Sequence, residues 1–292
     1  MNQKNPAKKG SAKKKSKQGH SDASAVEHLP SLQSLESLLS GIGGRSRRNA
    51  VDEAQEVMYD AWEAPTRKRA VALARKALTI SPDCADAYNL LAEETAKSLE
   101  EAIDLYRRGV EAGERALGKK TFKEEVGYFW GLLETRPYMR ARAGLARGLW
   151  ETGQRDEAVD HYRDMLRLNP NDNQGIRYLL MPCLIELGRD KDAERLLEQY
   201  KEDSAAAWLY SRALLDFRKH GDSTVAGKSF RIALEENEHV PPYILGSKRM
   251  PRNLPELYGI GDDNEAVLYA HGNKTTWKVT PGAMEWLAAQ AR

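Results

Sequence analysis

The chain has 292 residues, of which 41% are hydrophobic and 30% charged, with a formal net charge of +2. Enough apolar residues are present to form a core, which excludes a wholly disordered or fibrous protein. No apolar run reaches about 20 residues and no signal-peptide pattern opens the chain, so we expect no membrane association and a cytoplasmic location. Cys84 and Cys183 match no zinc or redox spacing and are expected to be reduced thiols.

Residues 1–28 are predicted to form a disordered basic tail. The tail is rich in lysine, serine and glycine and has too few apolar residues to offset the entropy of ordering. One interpretation is that it binds a polyanion such as nucleic acid. The other is that it only keeps the protein soluble. The candidate polyanion-binding residues are Lys8, Lys9, Lys13, Lys14, Lys15 and Lys17.

Residues 29–48 are predicted to form a short amphipathic helix and a linker. Leucines recur at helical spacing in LPSLQSLESLL, and GIGG then breaks the pattern. A helix of this length is too short to persist alone in water. We therefore expect it to dock on the next hairpin or to fold on a partner.

Residues 49–240 contain a helical repeat. Ala158 lies 88 residues after Ala70, and each stands in the second helix of a predicted hairpin that ends in a proline turn, at Pro170 and Pro82. Ser98 and Glu101 form a capping-box pattern at another helix start. These features are typical of the tetratricopeptide repeat. The sequence predicts an all-α fold, a tetratricopeptide-like right-handed α-solenoid of about four helical hairpins with an inserted helix and a C-terminal helical cap.

An insertion interrupts the repeat, because two periods of about 34 residues would separate the aligned residues by about 68 rather than 88. The segment TFKEEVGYFWGLLE predicts an inserted helix over about residues 120–135, starting with a capping box of Thr121 and Glu124. Its apolar stripe is expected to pack on the solenoid and to bury Trp130, so that Trp130→Ala costs about 3–5 kcal/mol. The alternative is an aromatic binding cage. The stripe consists of Phe122, Val126, Phe129, Trp130 and Leu133.

Residues 241–292 are predicted to form a C-terminal capping region, because an exposed solenoid end needs cover. Asp262 is expected to cap a helix, and Thr280 is expected to cap the last helix with Pro281 at its first position. Trp277, Met284, Trp286 and Leu287 are expected to cover the last hairpin.

Several segments resemble the suppressor of tumorigenicity 7 family over residues 51–290. They are CADAYNLLAEE, EAIDLYRRGVEAGER, HVPPYILGSKRMP and GDDNEAVLYAHGNKTTW, whereas ETRPYMRA and NPNDNQGIRYLL are more similar to bacterial members. The resemblance implies a repeat-containing fold and no established enzymatic activity. Animal members carry membrane-spanning segments near their N-termini, and we expect none here.

No motif for catalysis is present. The sequence contains no Walker loop, nucleophile elbow, dinucleotide fingerprint or metal-binding histidine pair. We therefore predict that the protein is not an enzyme and has no cofactor and no metal site.

The predicted function is a non-catalytic scaffold that binds a peptide or partner protein in the concave groove. The predicted groove residues are Asn89, Arg140, Arg147, Gln174 and Arg177. Guanidinium groups match carboxylates, which favours an acidic peptide. The alternative is that these arginines pair with acids of adjacent helices, such as Asp172. If the arginines face a partner, replacing Arg140, Arg147 and Arg177 together with alanine should abolish partner capture with little effect on the melting temperature.

The alternative function is an RNA- or ribosome-associated protein that uses the basic N-terminal tail. Deletion of residues 1–20 should separate the two functions, because only polyanion binding depends on the lysines.

Overall fold

The computed structural model describes residues 50–291, and this part of the chain contains thirteen α-helices and no β-strand. Ten of the helices form five hairpins, one more than the predicted four. The hairpins are α1 (Ala50–Trp62) with α2 (Arg67–Ile80), α3 (Ala85–Thr95) with α4 (Leu99–Glu124), α5 (Arg136–Glu151) with α6 (Arg155–Leu168), α7 (Ile176–Glu186) with α8 (Asp190–Gln199), and α9 (Ala206–His220) with α10 (Thr224–Glu236). The predictions for residues 1–28 and 29–48, together with the tail lysines, lie outside the described residues.

Hydroxyl side chains begin several of the second helices. Thr66 accepts a hydrogen bond from the backbone N–H of Arg69 at 3.3 Å, and Ser98 accepts one from Glu101 at 3.2 Å. The Glu101 carboxylate in turn accepts from the N–H of Lys97 at 2.8 Å. The predicted N-cap at Ser98 is therefore confirmed, whereas the return bond of Glu101 goes to Lys97, one residue before the expected Ser98.

The hairpins stack into an α-solenoid. The second helix of each hairpin contacts the first helix of the next, and neighbouring first helices also contact each other at α1–α3, α3–α5 and α7–α9. Small buried side chains on these helices, such as Ala74, Ala146 and Ala158, let packed helices approach closely. The predicted tetratricopeptide-like fold is therefore confirmed.

A glycine seam joins α4 to α5. Gly109 and Gly113 lie one turn apart on α4, and Gly144 and Gly148 lie one turn apart on α5. A Cβ atom at Gly113 would lie 2.8 Å from the Cβ atom of Tyr138, closer than carbon atoms pack. The seam therefore fixes the spacing between the second and third hairpins.

The predicted inserted helix over residues 120–135 is wrong. Instead, α4 breaks at Gly118, whose φ of 68° and ψ of 163° are not helical, and its helical part after the break ends at Glu124. Two short 3-10 turns follow, Phe129–Gly131 and Leu133–Thr135. Thr121 lies inside α4 and donates to the carbonyl of Leu117, so it cannot cap a helix start. The chain then turns at Gly127, whose φ of 105° is one that few residues other than glycine adopt.

Phe129, rather than Trp130, is the buried aromatic residue of the insertion. Phe129 is fully buried, with its ring 5.1 Å from Phe122 and 6.2 Å from Tyr138. Trp130 is only half-buried and lies beneath the guanidinium of Arg136 at 5.5 Å. The expectation of a largely buried Trp130 was therefore wrong, because the turns replace the continuous stripe.

Three further helices follow the hairpins, namely α11 (Val240–Leu245), α12 (Asp263–Val279) and α13 (Ala283–Gln290). Asp262 caps α12 as predicted and accepts from the N–H of Glu265 at 2.7 Å. The predicted cap at Thr280 is wrong, because Thr280 follows the end of α12 and α13 begins after Gly282. Trp286 stacks on Phe217 of α9 at 4.6 Å, which attaches α13 to the fifth hairpin.

Candidate functional site

The first helices of the hairpins form one side of the stack, which we call the inner face. Four of the five predicted groove residues lie on α3, α5 and α7, and Gln174 lies just before α7. No helix among residues 50–291 is long and apolar enough to cross a membrane.

Arg140 of α5 forms an ion pair with Asp86 of α3. Its Nη2 lies 2.6 Å from Oδ2 and its Nε lies 2.9 Å from Oδ1. The Asp86 side chain is 0% exposed, and the Arg140 side chain is 28% exposed. Gln55 of α1 also donates to Asp86 at 3.0 Å, and the Arg140 guanidinium lies 5.4 Å from the ring centre of Trp62. Asp86 thus connects the first helices of three hairpins.

Asn89 belongs to the same cluster and is buried. Its amide donates to Asp86 Oδ1 at 3.1 Å and to the carbonyl of Pro137 at 3.1 Å. Its own Oδ1 has no hydrogen-bond partner among the described residues and faces Gly109, where an added Cβ atom would lie 3.2 Å away. Asn89 therefore joins α3 to the start of α5 and has little surface to offer a ligand.

Among the five predicted groove residues, Arg147 has the most exposed side chain. It lies seven positions after Arg140, as Glu93 lies seven positions after Asp86, so each pair is about two helical turns apart on one side of its helix. Arg147 and Glu93 are both exposed, and the Arg147 guanidinium donates to the hydroxyl of Tyr106 at 3.5 Å. Burial raises the pKa of Tyr106, so this hydroxyl stays protonated at neutral pH.

Arg177 is held by two carboxylates of its own chain. Its guanidinium contacts Asp172 Oδ2 at 3.0 Å and Asp203 Oδ2 at 2.7 Å, and it lies 4.3 Å from the ring centre of Tyr178 and 5.2 Å from that of Tyr200. Asp172 also accepts from the N–H of Ile176 at 2.7 Å, which caps α7. The alternative predicted for this arginine, pairing with Asp172, is the arrangement that the structure shows.

Gln174 connects the fourth hairpin to the third. Its Nε2 donates to the carbonyl of Met139 at 3.5 Å, and its Oε1 is buried without a hydrogen-bond partner within residues 50–291. The structure therefore joins Asn89 and Arg140 through Asp86 and leaves Arg147 exposed on the same side of α5, whereas Arg177 binds Asp172 and Asp203. Arg140 and Arg177 neutralise buried carboxylates, so their replacement is no longer expected to leave the melting temperature unchanged.

Aromatic residues of the inner face were not predicted. Tyr59 and Trp62 lie on α1, and Trp150 lies on α5 under the guanidinium of Arg155 at 4.8 Å. All three aromatic side chains are half-buried. The helical spacing of Gln55, Tyr59 and Trp62 was a signal that could have identified the α1 pair.

Helix α12, which lies in the C-terminal region, covers the inner face of the last two hairpins, where it contacts α7 and α9. Glu265 of α12 accepts from the N–H of Ala206 at 2.9 Å, at the start of α9, and from Asn237 at 2.8 Å. The rings of Tyr269 and Tyr210 lie 5.6 Å apart. Among residues 50–291, no helix lies in this way on α1, α3 and α5.

The described residues contain no cluster of three or more histidine, cysteine or acidic side chains that could hold a metal ion. Cys84 and Cys183 are both buried and unpaired with each other. Burial raises the pKa of each thiol to about 12, which keeps both in the unreactive protonated form.

The model of the ST7 protein family matches residues 46–291. The chain belongs to the ST7 protein family. An ST7 homologue of Caenorhabditis elegans is 30% identical over 275 residues, which covers 80% of this chain and 50% of the worm protein. A human ST7-like protein is 29% identical over 253 residues and covers 79% and 44%. The chain spans about half the length of the curated relatives it matches.

A solved structure is also similar to this ST7-family chain. It is the crystal structure of YrrB, described as a TPR protein with an unusual peptide-binding site. The two share 18% identity with a TM-score of 0.43, over 68% of this chain and 91% of YrrB.

Proposed function

We propose that this ST7-family chain is a non-catalytic interaction scaffold that binds a peptide or partner protein on the inner face of hairpins 1–3. The observation that carries the proposal is the position of α12. On hairpins 4 and 5 the inner face binds a helix of the same chain, through apolar contacts and through hydrogen bonds such as Glu265 to Ala206. The inner face is therefore suited to holding a helical segment, and a partner would use the corresponding surface of hairpins 1–3.

The side chains of this surface support the proposal. Tyr59, Trp62 and Trp150 supply half-buried aromatic surface, and Glu93 and Arg147 add an exposed acid and an exposed base. Tyrosine, tryptophan and arginine are enriched at protein interfaces because they combine large contact area with hydrogen bonding. Arg147 is the predicted arginine best placed to meet a carboxylate of the partner, because Arg140 and Arg177 already bind their own.

A charge swap tests the proposal. Glu93→Arg with Arg147→Glu keeps an opposite pair beside Tyr106 but reverses the charges that a partner meets. The tagged 292-residue chain should capture its partner from cells of its source, and the swapped protein should lose that partner while keeping its melting temperature. Lys228→Glu on α10 is the control. Equal capture by wild-type and swapped protein would exclude this face.

The polyanion prediction needs its own measurement, because the tail lysines lie outside the described residues. Deletion of residues 1–20 should leave partner capture unchanged if the inner face carries the function. Loss of all capture together with loss of RNA binding would favour the alternative function.

A further inference from the structure

A cavity of about 740 Å³ opens on the side of α5 opposite the inner face. Arg142 lines this cavity and lies two positions after Arg140, which places it about 200° further round the helix. The cavity lies between α5 and the second helices α4 and α6, on what we call the outer face. Its volume falls within the range of about 300–1,000 Å³ that is common for ligand pockets.

Aromatic rings line part of the cavity. Phe122 of α4 and Tyr138 of α5 meet edge to face with ring centres 5.1 Å apart. Phe122 is half-buried and Tyr138 is buried. This wall can receive an aliphatic or aromatic side chain, which would be removed from water as it binds.

The insertion supplies this part of the cavity. α4 runs from Leu99 to Glu124 with a break inside it, whereas the second helices α2 and α6 each have 14 residues. Gly118 interrupts α4 with φ 68° and ψ 163°, and the helix resumes after it with Lys119, Phe122 and Lys123. A Cβ atom at Gly118 would meet no atom within 4 Å, so the unusual backbone conformation, rather than lack of space, favours glycine.

Two lysines at the end of the cavity formed after Gly118 have no carboxylate partner within residues 50–291. Lys119 and Lys123 are exposed, lie one helical turn apart, and form no ion pair within residues 50–291. The other two bases of the cavity are already paired, since Arg142 binds Asp164 and donates to the hydroxyl of Tyr138 at 2.8 Å. The fourth base, Arg115, pairs with Asp83 at 2.7 Å.

The remaining lining residues distinguish between kinds of ligand. Glu111 and Glu114 lie on α4 before the break at Gly118, so the wall changes from acidic to basic along the helix. A long polyanion such as RNA would be repelled at the acidic end. A short segment with one or two carboxylates beside an apolar side chain can place its charge at Lys119 and Lys123 and avoid the glutamates.

We propose that this cavity is a second binding site, which takes a peptide segment of a partner protein that carries an acidic residue next to an aromatic or large aliphatic residue. The apolar side chain would pack on Phe122 and Tyr138, and the carboxylate would bind Lys119 and Lys123. The site lies on the opposite side of α5 from the inner face, so it is independent of the function proposed above.

The test uses a fluorescent, terminally blocked heptapeptide with an Asp-Phe-Asp centre and otherwise glycine and serine. Its binding to the 292-residue chain is measured by fluorescence anisotropy. We expect the wild-type protein to bind it at least ~10-fold more tightly than the matched peptides with Lys-Phe-Lys or Asp-Ala-Asp centres. Failure of the wild-type protein to prefer the Asp-Phe-Asp peptide would overturn the proposal.

Protein variants then locate the binding site. Lys119→Glu with Lys123→Glu should weaken binding at least ~10-fold, whereas Lys119→Arg with Lys123→Arg should retain it because the charge is kept. The matched control is Lys68→Glu with Lys228→Glu, which changes the net charge equally at exposed positions of α2 and α10. These are surface residues, and circular dichroism melts verify that all variants fold.

Two results would contradict the site. Equal weakening by the control pair would show that the peptide responds only to net charge. A uridine oligonucleotide that displaces the peptide from the wild-type protein, and that no longer binds directly to the Lys119→Glu, Lys123→Glu protein, would assign the lysines to nucleic acid instead. The Glu93→Arg, Arg147→Glu protein should bind the heptapeptide normally, which separates this site from the inner face.

Discussion

Arg140 and Asp86, 54 residues apart in sequence, form a two-point ion pair that joins α5 to α3. Arg140→Ala would leave the Asp86 carboxylate buried without its cation. We expect this variant to lower the free energy of unfolding by about 3 kcal/mol, because removing one partner of a buried pair strands the other charge. Urea denaturation measures the change.

An exposed ion pair of the same type provides the control for Arg140. Arg115 contacts Asp83 at 2.7 Å, but its side chain is 53% exposed. Water screens such pairs, so Arg115→Ala should cost less than about 1 kcal/mol. Equal losses for the two variants would show that Asp86 is hydrated in solution.

The insertion should depend on Phe129 more than on Trp130. Phe129→Ala removes a fully buried ring between Phe122 and Tyr138 and should cost about 3–5 kcal/mol. Trp130→Ala removes a half-buried ring and its contact with Arg136, and should cost about 1 kcal/mol. Thermal melts of both variants decide the order. A larger loss for Trp130→Ala would contradict the two 3-10 turns.

Replacing glycine with alanine should have opposite effects on stability at Gly144, which belongs to the glycine seam, and at Gly272, which does not. A Cβ atom at Gly144 would overlap the ring of Tyr106, so Gly144→Ala should destabilise the protein by about 1–3 kcal/mol through overpacking. At Gly272 in α12 an added Cβ atom meets nothing within 4 Å, and Gly272→Ala should stabilise it by about 0.5–1 kcal/mol. Chemical denaturation of the two variants gives both signs, and stabilisation by Gly144→Ala would rule out the close α4–α5 contact.

His161 should make the protein sensitive to mild acid. Burial and the neighbouring Arg142 lower the pKa of His161 below its ordinary value of 6.5, with Arg107 acting in the same direction and Glu157 and Asp164 opposing them. The neutral ring accepts a hydrogen bond from Arg142 Nε at 3.1 Å through Nδ1, which a protonated Nδ1 could not do.

The sign of the pH effect follows from this lowered pKa. Below pH 6.5 the unfolded chain binds a proton at His161 before the folded chain does, so the His161 contribution is complete above pH 6.5 and is lost as the pH falls through the folded-state pKa. We expect the wild-type protein to lose more unfolding free energy between pH 7.5 and pH 5 than His161→Gln. Identical losses, measured by urea denaturation, would show that His161 titrates normally in the fold.

Local patterns in the sequence were sufficient to predict the hairpins, because caps such as Ser98 and Asp262 act within four residues. The insertion was predicted wrongly because Phe122, Phe129 and Trp130 recur at a spacing that a helix and a series of turns can share. Gly118, where α4 breaks, was a local signal that the spacing of the apolar residues did not take into account.

The candidate site was harder to predict because its partners are distant in sequence. Helical spacing put Arg140 and Arg147 on one side of α5, and the structure agrees. The same spacing could not reveal that Asp86 would meet Arg140, or that Asp203 would meet Arg177, because these contacts depend on how whole hairpins stack.

The position of α12 limits how the number of repeats could change during evolution. α12 contacts both α7 and α9, and Glu265 binds the start of α9, so an extra hairpin duplicated between the fourth and fifth would separate surfaces that one helix must contact together. A hairpin added after α10 would compete with α12 for the same neighbours. Duplication or loss of repeats is therefore expected before α7, and length variation among related chains should concentrate there.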